Sequence, residues 1–207
     1  MSASVKEFLE KVFSRSAPGP SPSFSALDSV RLLRLLAEHD RVGRKRISKE
    51  LGLGEGTVRT MLKRLSETGL IETSRGGCSL SSRGKAIWGE IKKIIPKIVE
   101  VGRSELTLAP KSVAILIKGC AERVKSGIEQ RDAAVSIGAK GAVTMIFKDN
   151  KIVIPGVSAD LERDYPKAFK EIMRLMCPED GDVIIVSSAD TLAKAECGAL
   201  AAAWSII

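Results

Sequence analysis

The 207-residue sequence is short of aromatic side chains, which make up 4% of it, and it holds a single histidine, His39. So few rings remove the stacking platforms on which single-stranded nucleic acids lie, and no interleaving of basic and aromatic residues replaces them. The four cysteines, Cys78, Cys120, Cys177 and Cys197, are all more than four residues apart. Structural zinc needs closely spaced Cys/His pairs, so no metal is expected, and the thiols read as buried or incidental in a reducing compartment. No apolar run approaches the roughly 20 residues that span a bilayer. Lys6, Glu7, Glu10 and Lys11 interrupt the N-terminal stretch, which therefore does not read as a secretion signal. A cytoplasmic chain with no membrane partner is the expectation. Enzyme signatures are missing as well. Gly52-Leu53-Gly54-Glu55-Gly56 lacks the strand that should precede a phosphate loop, and His39 has no nucleophile pattern around it. No catalytic residue and no cofactor is expected.

The positive charge is unevenly spread. Of a net +8, residues 1–97 carry 19 Lys/Arg against 10 Asp/Glu, and residues 98–207 carry 14 against 15. The whole excess lies in the first half, which points to a polyanionic partner for that half alone.

The order of residues there is specific. Residues 5–13 have helical apolar spacing at Val5, Phe8, Leu9 and Val12. Residues 16–23 follow, with three prolines that exclude regular structure. A helix is predicted from about Ser25, with Asp28 in its first turn. Residues 44–51 form a second, short helix with Ile47 and Leu51 inward; Gly52 reverses the chain, and a third helix opens at Gly54 or Glu55. Val58, Met61, Leu62 and Leu65 face its inner side, leaving Gly56, Thr57, Arg59, Thr60 and Lys63 outward or at the border. Two short helices joined through a glycine, the second presenting small, hydroxyl and basic residues, are a helix-turn-helix. That outward face suits base edges and phosphates. Leu70-Ile71-Glu72-Thr73 and Cys78-Ser79-Leu80 then read as two strands around a turn at Ser74 to Gly77, with a closing helix behind them. The candidate DNA-contacting residues are Arg44, Lys45, Arg46, Gly56, Thr57, Arg59, Thr60, Lys63 and Arg75. A solvated face or a protein-contacting one is the competing reading, and Glu55 on the outward side favours it.

The run Leu65-Ser66-Glu67-Thr68-Gly69-Leu70-Ile71-Glu72, followed by Leu80-Ser81-Ser82-Arg83-Gly84-Lys85, resembles archaeal and bacterial winged-helix regulators of the MarR-like and iron-dependent-repressor-like kinds, over about residues 24–95. This implies an N-terminal winged helix.

In the second half, residues 85–101 read as a helix interrupted at Pro96, connecting the domains or pairing two subunits, and residues 98–111 as a linker. Strands at 113–117, 142–147, 152–154 and 182–186 alternate with helices at 128–139, 160–176 and 190–204. Lys148-Asp149-Asn150-Lys151 is a hairpin turn. The expected class is α+β: a winged helix-turn-helix domain over 1–97 and an α/β sandwich over 112–207, plausibly ferredoxin-like. Pro20-Ser21-Pro22-Ser23-Phe24-Ser25, Gly127-Ile128-Glu129-Gln130-Arg131-Asp132-Ala133 and Ile154-Pro155-Gly156 resemble an archaeal winged-helix family whose C-terminal domain has no assigned function. That resemblance implies an archaeal regulator and no known ligand or catalytic residue.

Six polar residues of this half read in two ways. Arg131 and Asp132 share a helix face with Ile128 and Val135. Glu196 stands on an apolar stripe between Leu192 and Leu200, and Ser187, Ser188 and Asp190 fall at a strand-to-helix junction of the kind that holds ligands. Either they are a helix cap with satisfied ion pairs, or they bind a small-molecule effector. The reading is a transcription regulator on double-stranded DNA, working as a homodimer through residues 5–13 and 91–101, with an effector or dimerisation domain. The alternative is an interaction or small-molecule-binding adaptor whose winged helix contacts protein.

Overall fold

Ser25 starts the first long helix by a reciprocal cap. Its hydroxyl accepts from the Asp28 amide (3.3 Å), and the Asp28 carboxylate accepts from the Ser25 amide (2.8 Å). The computed structural model describes residues 6–10 and 24–207, and divides into units of residues 1–91 and 92–207. Residues 6–10 are helical; the rest of the helix expected over 5–13, and the proline-rich stretch at 16–23, lie outside the described residues.

In the first unit, α1 (Ala26–Glu38) buries Val30, Leu32, Leu33 and Leu36. The short α2 (Arg44–Leu51) buries Ile47 and Leu51, and Gly52 follows with φ 67°, a left-handed turn that glycine makes at low cost. Next comes α3 (Glu55–Glu67), with Val58, Met61, Leu62 and Leu65 inside. The hairpin β1 (Ile71–Ser74) and β2 (Gly77–Leu80) pairs in register from Ile71–Leu80 to Ser74–Gly77. Finally α4 (Ser82–Ile94) seats Gly84 where a Cβ would come within 2.0 Å of the Leu70 carbonyl oxygen. Helix, helix, helix, hairpin and helix in this order is the winged helix-turn-helix expected.

The second unit is one antiparallel sheet, in the order β3-β4-β7-β5-β6. Its strands are β3 (Lys97–Val101), β4 (Lys111–Ile117), β5 (Gly141–Lys148), β6 (Lys151–Val153) and β7 (Val183–Ala189). Its helices are α5 (Ile128–Ser136), α6 (Leu161–Asp164), α7 (Pro166–Met176) and α8 (Leu192–Trp204). One sheet face, with Ala114, Leu116, Met145, Phe147, Ile184 and Val186, meets Ala168, Ile172 and Met176 of α7. On the other face, α8 packs on β4 and β7, and α5 on β5. Burying each large aliphatic chain contributes about 1.5–3 kcal/mol. Between β5 and β6, Asp149 and Asn150 both have positive φ (51° and 59°), the tight hairpin turn that the sequence called for.

Five expectations are corrected. The helix expected over 85–101 ends at Ile94, and Lys97–Val101 is an edge strand paired with β4. Pro96 separates a helix from a strand; it does not kink a helix. The stretch expected as a linker, 98–111, therefore holds most of β3 and the loop to β4. The helix expected over 160–176 is two helices, with Pro166 opening the second. The strand expected to end at Val186 continues to Ala189. The α+β class holds, but the order is not ferredoxin-like: the last strand, β7, lies between β4 and β5, where a ferredoxin-like sheet carries it on an edge.

Candidate nucleic-acid interface

A buried arginine sets the helix-turn-helix. Arg31, 3% exposed, donates to the carbonyls of Leu51 (2.9 Å) and Glu50 (3.2 Å), and lies 3.6 Å from Asp28. It caps the C-terminus of α2 from α1, so the turn leading into α3 is fixed from two helices. The Ser48 hydroxyl adds a bond to the carbonyl of Leu53 in that turn.

The wing is fixed equally firmly. Val42, just before α2, exchanges two 2.9 Å backbone hydrogen bonds with Cys78 and so extends the hairpin as a third strand. Gly77 has φ 123°, and a Cβ there would meet the Val42 carbonyl oxygen at 2.8 Å. At the hairpin end, the Ser74 hydroxyl accepts from Arg41 (3.2 Å) and donates to the Gly77 carbonyl (3.2 Å).

Between α3 and the wing lies a cavity of about 620 Å³. Arg44 reaches it from α2, Arg59 and Lys63 from α3, and Arg75 from the wing; Glu67 is the one carboxylate that lines it, and Leu62 and Cys78 supply apolar surface. Arg44, Arg59 and Arg75 are exposed and have no ion pair among the described residues. Lys63 is 3.9 Å from Glu67, both well exposed, a pair of little strength. Burial pushes the Cys78 thiol up, against the pull of Arg44, so it is a neutral wall.

Four of the nine sequence-predicted contact residues thus share one groove. The others stand around it. Lys45 is exposed on the first turn of α2; Arg46 is turned to His39 (2.8 Å) and Glu50 (3.8 Å). Gly56 is exposed with open space where a Cβ would be, Thr57 is half-buried, and the Thr60 hydroxyl bonds back to the Gly56 carbonyl (3.1 Å). Sequence reasoning missed Arg41, Ser66 and Thr73. Arg41 was the one with a signal, a cation just before the residue that joins the wing.

The six polar residues of the second unit do not form one pocket. Ser187 and Ser188 are fully buried within β7, so their side chains leave the sheet on opposite faces. Ser187 lies under Gly198 of α8, where a Cβ would come within 2.3 Å of its hydroxyl. Ser188 bonds the Ser112 hydroxyl (2.8 Å) and accepts from the Leu108 amide (3.0 Å). Asp190 is exposed, 3.3 Å from Lys140, and Thr191, not Asp190, caps α8. Arg131 and Asp132 are exposed and pair with each other (2.9 Å). Glu196 is half-buried and has a partner. Among the described residues no cluster of His, Cys, Asp and Glu could hold a metal, and no helix is long and apolar enough to cross a membrane.

The comparisons with known proteins fit this division. Residues 28–86 match the PH0730-like N-terminal domain, and residues 108–206 a domain of unknown function, DUF4443. The HTH-type transcriptional regulator Ptr1 of Methanocaldococcus jannaschii is 34% identical over 79 residues, 38% of this chain. The chain spans about half the length of that relative (51%). The solved structure of the hypothetical protein PH0730 from Pyrococcus horikoshii is 36% identical, with a TM-score of 0.75, over 89% of this chain and 93% of that one. Matched over nearly the whole length of both molecules, the chain belongs to the PH0730-like family, an N-terminal PH0730-like domain followed by a DUF4443 domain.

Proposed function

We propose that the chain is a transcription regulator whose first unit binds double-stranded DNA, with α3 in the major groove and the wing against the flanking backbone. One observation carries this: Arg44, Arg59, Lys63 and Arg75 come from three elements to a single groove, and three of them have no carboxylate partner among the described residues. Cations held on rigid elements without counter-charges suit a polyanion, because binding releases its condensed counterions. The open surface at Gly56 lets a base edge or sugar approach the first turn of α3 closely. The name of the M. jannaschii relative, an HTH-type transcriptional regulator, supports the same reading.

The second unit takes the regulatory part, by binding an effector or by pairing two copies. Two copies are needed because one short recognition helix reads too few base pairs to single out a genomic site. Of the elements expected to pair two copies, Leu9 and Ile91 are fully buried within the chain, whereas Ile98 and Val99 of the edge strand β3 are half-buried and keep apolar surface for a second copy.

The test is a titration of duplex DNA, selected from a random pool, at several salt concentrations, with light scattering on the complex. Arg59→Ala with Lys63→Ala should weaken binding on the order of 30-fold and lower the salt slope by about two, one per lost phosphate contact. A double variant with unchanged affinity and slope removes α3 from the interface. A single copy on the selected duplex removes the dimer.

A further inference from the structure

We propose that the second unit carries a binding site for a small amphipathic monocarboxylate, in the cavity under the loop that joins β3 and β4. The cavity holds about 440 Å³, within the range of small-molecule sites. Its walls are Val101, Leu108, Ala109 and Pro110 on the apolar side, and Arg103 and Ser112 on the polar side.

Leu108 is 58% exposed, yet it is held in place. Its amide donates to the Ser188 hydroxyl (3.0 Å), which is itself bonded to the Ser112 hydroxyl (2.8 Å), both serines being buried. Its side chain lies across Gly141, where a Cβ would come within 2.6 Å of Leu108 Cδ1. A buried serine pair and a bare glycine thus support a leucine that covers little of itself. With Val101, Ala109 and Pro110 beside it, this leucine completes an apolar wall of the cavity. Ser188, which the sequence offered as a ligand contact, acts here behind the wall.

The rest of the loop is pinned. The Gly102 amide donates to Glu171 (2.8 Å), the Glu105 carboxylate accepts from the Ala168 amide (3.1 Å), and the Thr107 hydroxyl is committed to Ser104. The carboxylates on and against the loop thus accept from backbone amides. Arg103 has no hydrogen bond or ion pair among the described residues. Elsewhere at this end of the sheet Lys111 pairs with Glu100 and Lys140 with Asp190. One unpaired guanidinium beside an apolar wall selects a single planar anion with a hydrocarbon tail. A carboxylate and a phosphate both meet a guanidinium through two parallel hydrogen bonds, but the remaining oxygens of a phosphate would find the Thr107 and Ser112 hydroxyls already engaged, which favours the carboxylate.

This inference goes beyond the DNA reading, and its test contains no DNA, so its failure leaves that reading standing. The full chain is titrated with 4-methylpentanoate, followed by calorimetry and by the Leu108 methyl resonances. The neutral 4-methylpentanamide, inorganic phosphate and the variants Arg103→Gln and Arg131→Gln serve as comparisons. Saturable binding of the acid is expected, at least tenfold weaker for the amide and in R103Q, unchanged in R131Q and not displaced by phosphate. Arg103 is exposed and bonds nothing, so R103Q folds as the parent does. No saturable binding, equal binding of the amide, displacement by phosphate, or wild-type affinity in R103Q overturns the proposal.

Discussion

The two units use charged side chains differently. In the second unit, beside the adjacent pairs Arg131–Asp132 and Arg163–Asp164, cations and carboxylates tie together segments distant in the chain. Lys118 reaches both Asp182 (2.8 Å) and Glu179 (2.6 Å), Lys140 reaches Asp190, and Lys111 on β4 reaches Glu100 on β3. In the first unit the ion pairs are mostly local contacts one helical turn apart, such as Arg34–Glu38 and Arg46–Glu50, while Arg44, Arg59 and Arg75 pair with nothing among the described residues. Charge that closes a structure is paired within it; charge kept for a partner stands open. Net charge gives the direction of the contrast, since the excess of cations lies in residues 1–97, but only the pairing pattern shows which cations stand open.

The sharpest way to break this contrast is Asp182→Ala. The Asp182 side chain is 3% exposed; it accepts from the Gly119 amide (3.1 Å), the Glu179 amide (2.8 Å) and Lys118. Losing three charge-assisted hydrogen bonds should cost about 3 kcal/mol of stability in urea unfolding. The triple variant Arg44→Ala, Arg59→Ala, Arg75→Ala should stay within about 0.5 kcal/mol per substitution of the parent. If the triple variant is destabilised as much as D182A, the contrast is wrong.

Acid should act through the second unit. Hydrogen bonds from Arg163 and then Ser158 lower the Asp164 carboxyl from 3.8 to about 2. A depressed carboxylate stabilises the fold above its unfolded pKa, so this contribution is complete above about pH 4 and fades as pH falls toward 2. The gap in urea midpoint between wild type and Asp164→Asn should therefore close between pH 4 and pH 2. A gap that stays constant across that window would break the assignment. The smallest effect belongs to Lys140→Met, which removes an exposed pair with Asp190 and should change stability by less than about 0.5 kcal/mol.

What the sequence made legible was mostly local. The helix start near Ser25, the Gly52 reversal, the inward Val58, Leu62 and Leu65 and the Asp149–Asn150 turn all act within a few residues and are legible in the sequence; the reciprocal Ser25/Asp28 cap is seen only in the structure. Non-local pairing was not. Residues 187–189 read as a strand-to-helix junction, yet β4 pairs with all three and β5 with Ser187 and Ser188, and these neighbours hold them extended. Residues 97–101 read as the continuation of a helix interrupted at Pro96, although Ile98, Val99 and Val101 are β-branched and favour a strand. The candidate groove was legible in its cations and not in its closure, since it is the Val42–Cys78 pairing, with Arg41 bonded to Ser74, that joins the start of α2 to the wing.

The central place of β7 has a consequence for synthesis. β4 and β5 touch through β7 alone in the sheet, so until residues 183–189 emerge from the ribosome they exist as two separate hairpins, β3–β4 and β5–β6. Long-range pairing of this kind is slow, and unpaired strand borders invite aggregation while it is pending. The helices and hairpin of the first unit are complete before the first strand of the sheet is made. A nascent chain thus carries a finished basic head well ahead of its sheet, and a chain released before β7 leaves that sheet in two pieces.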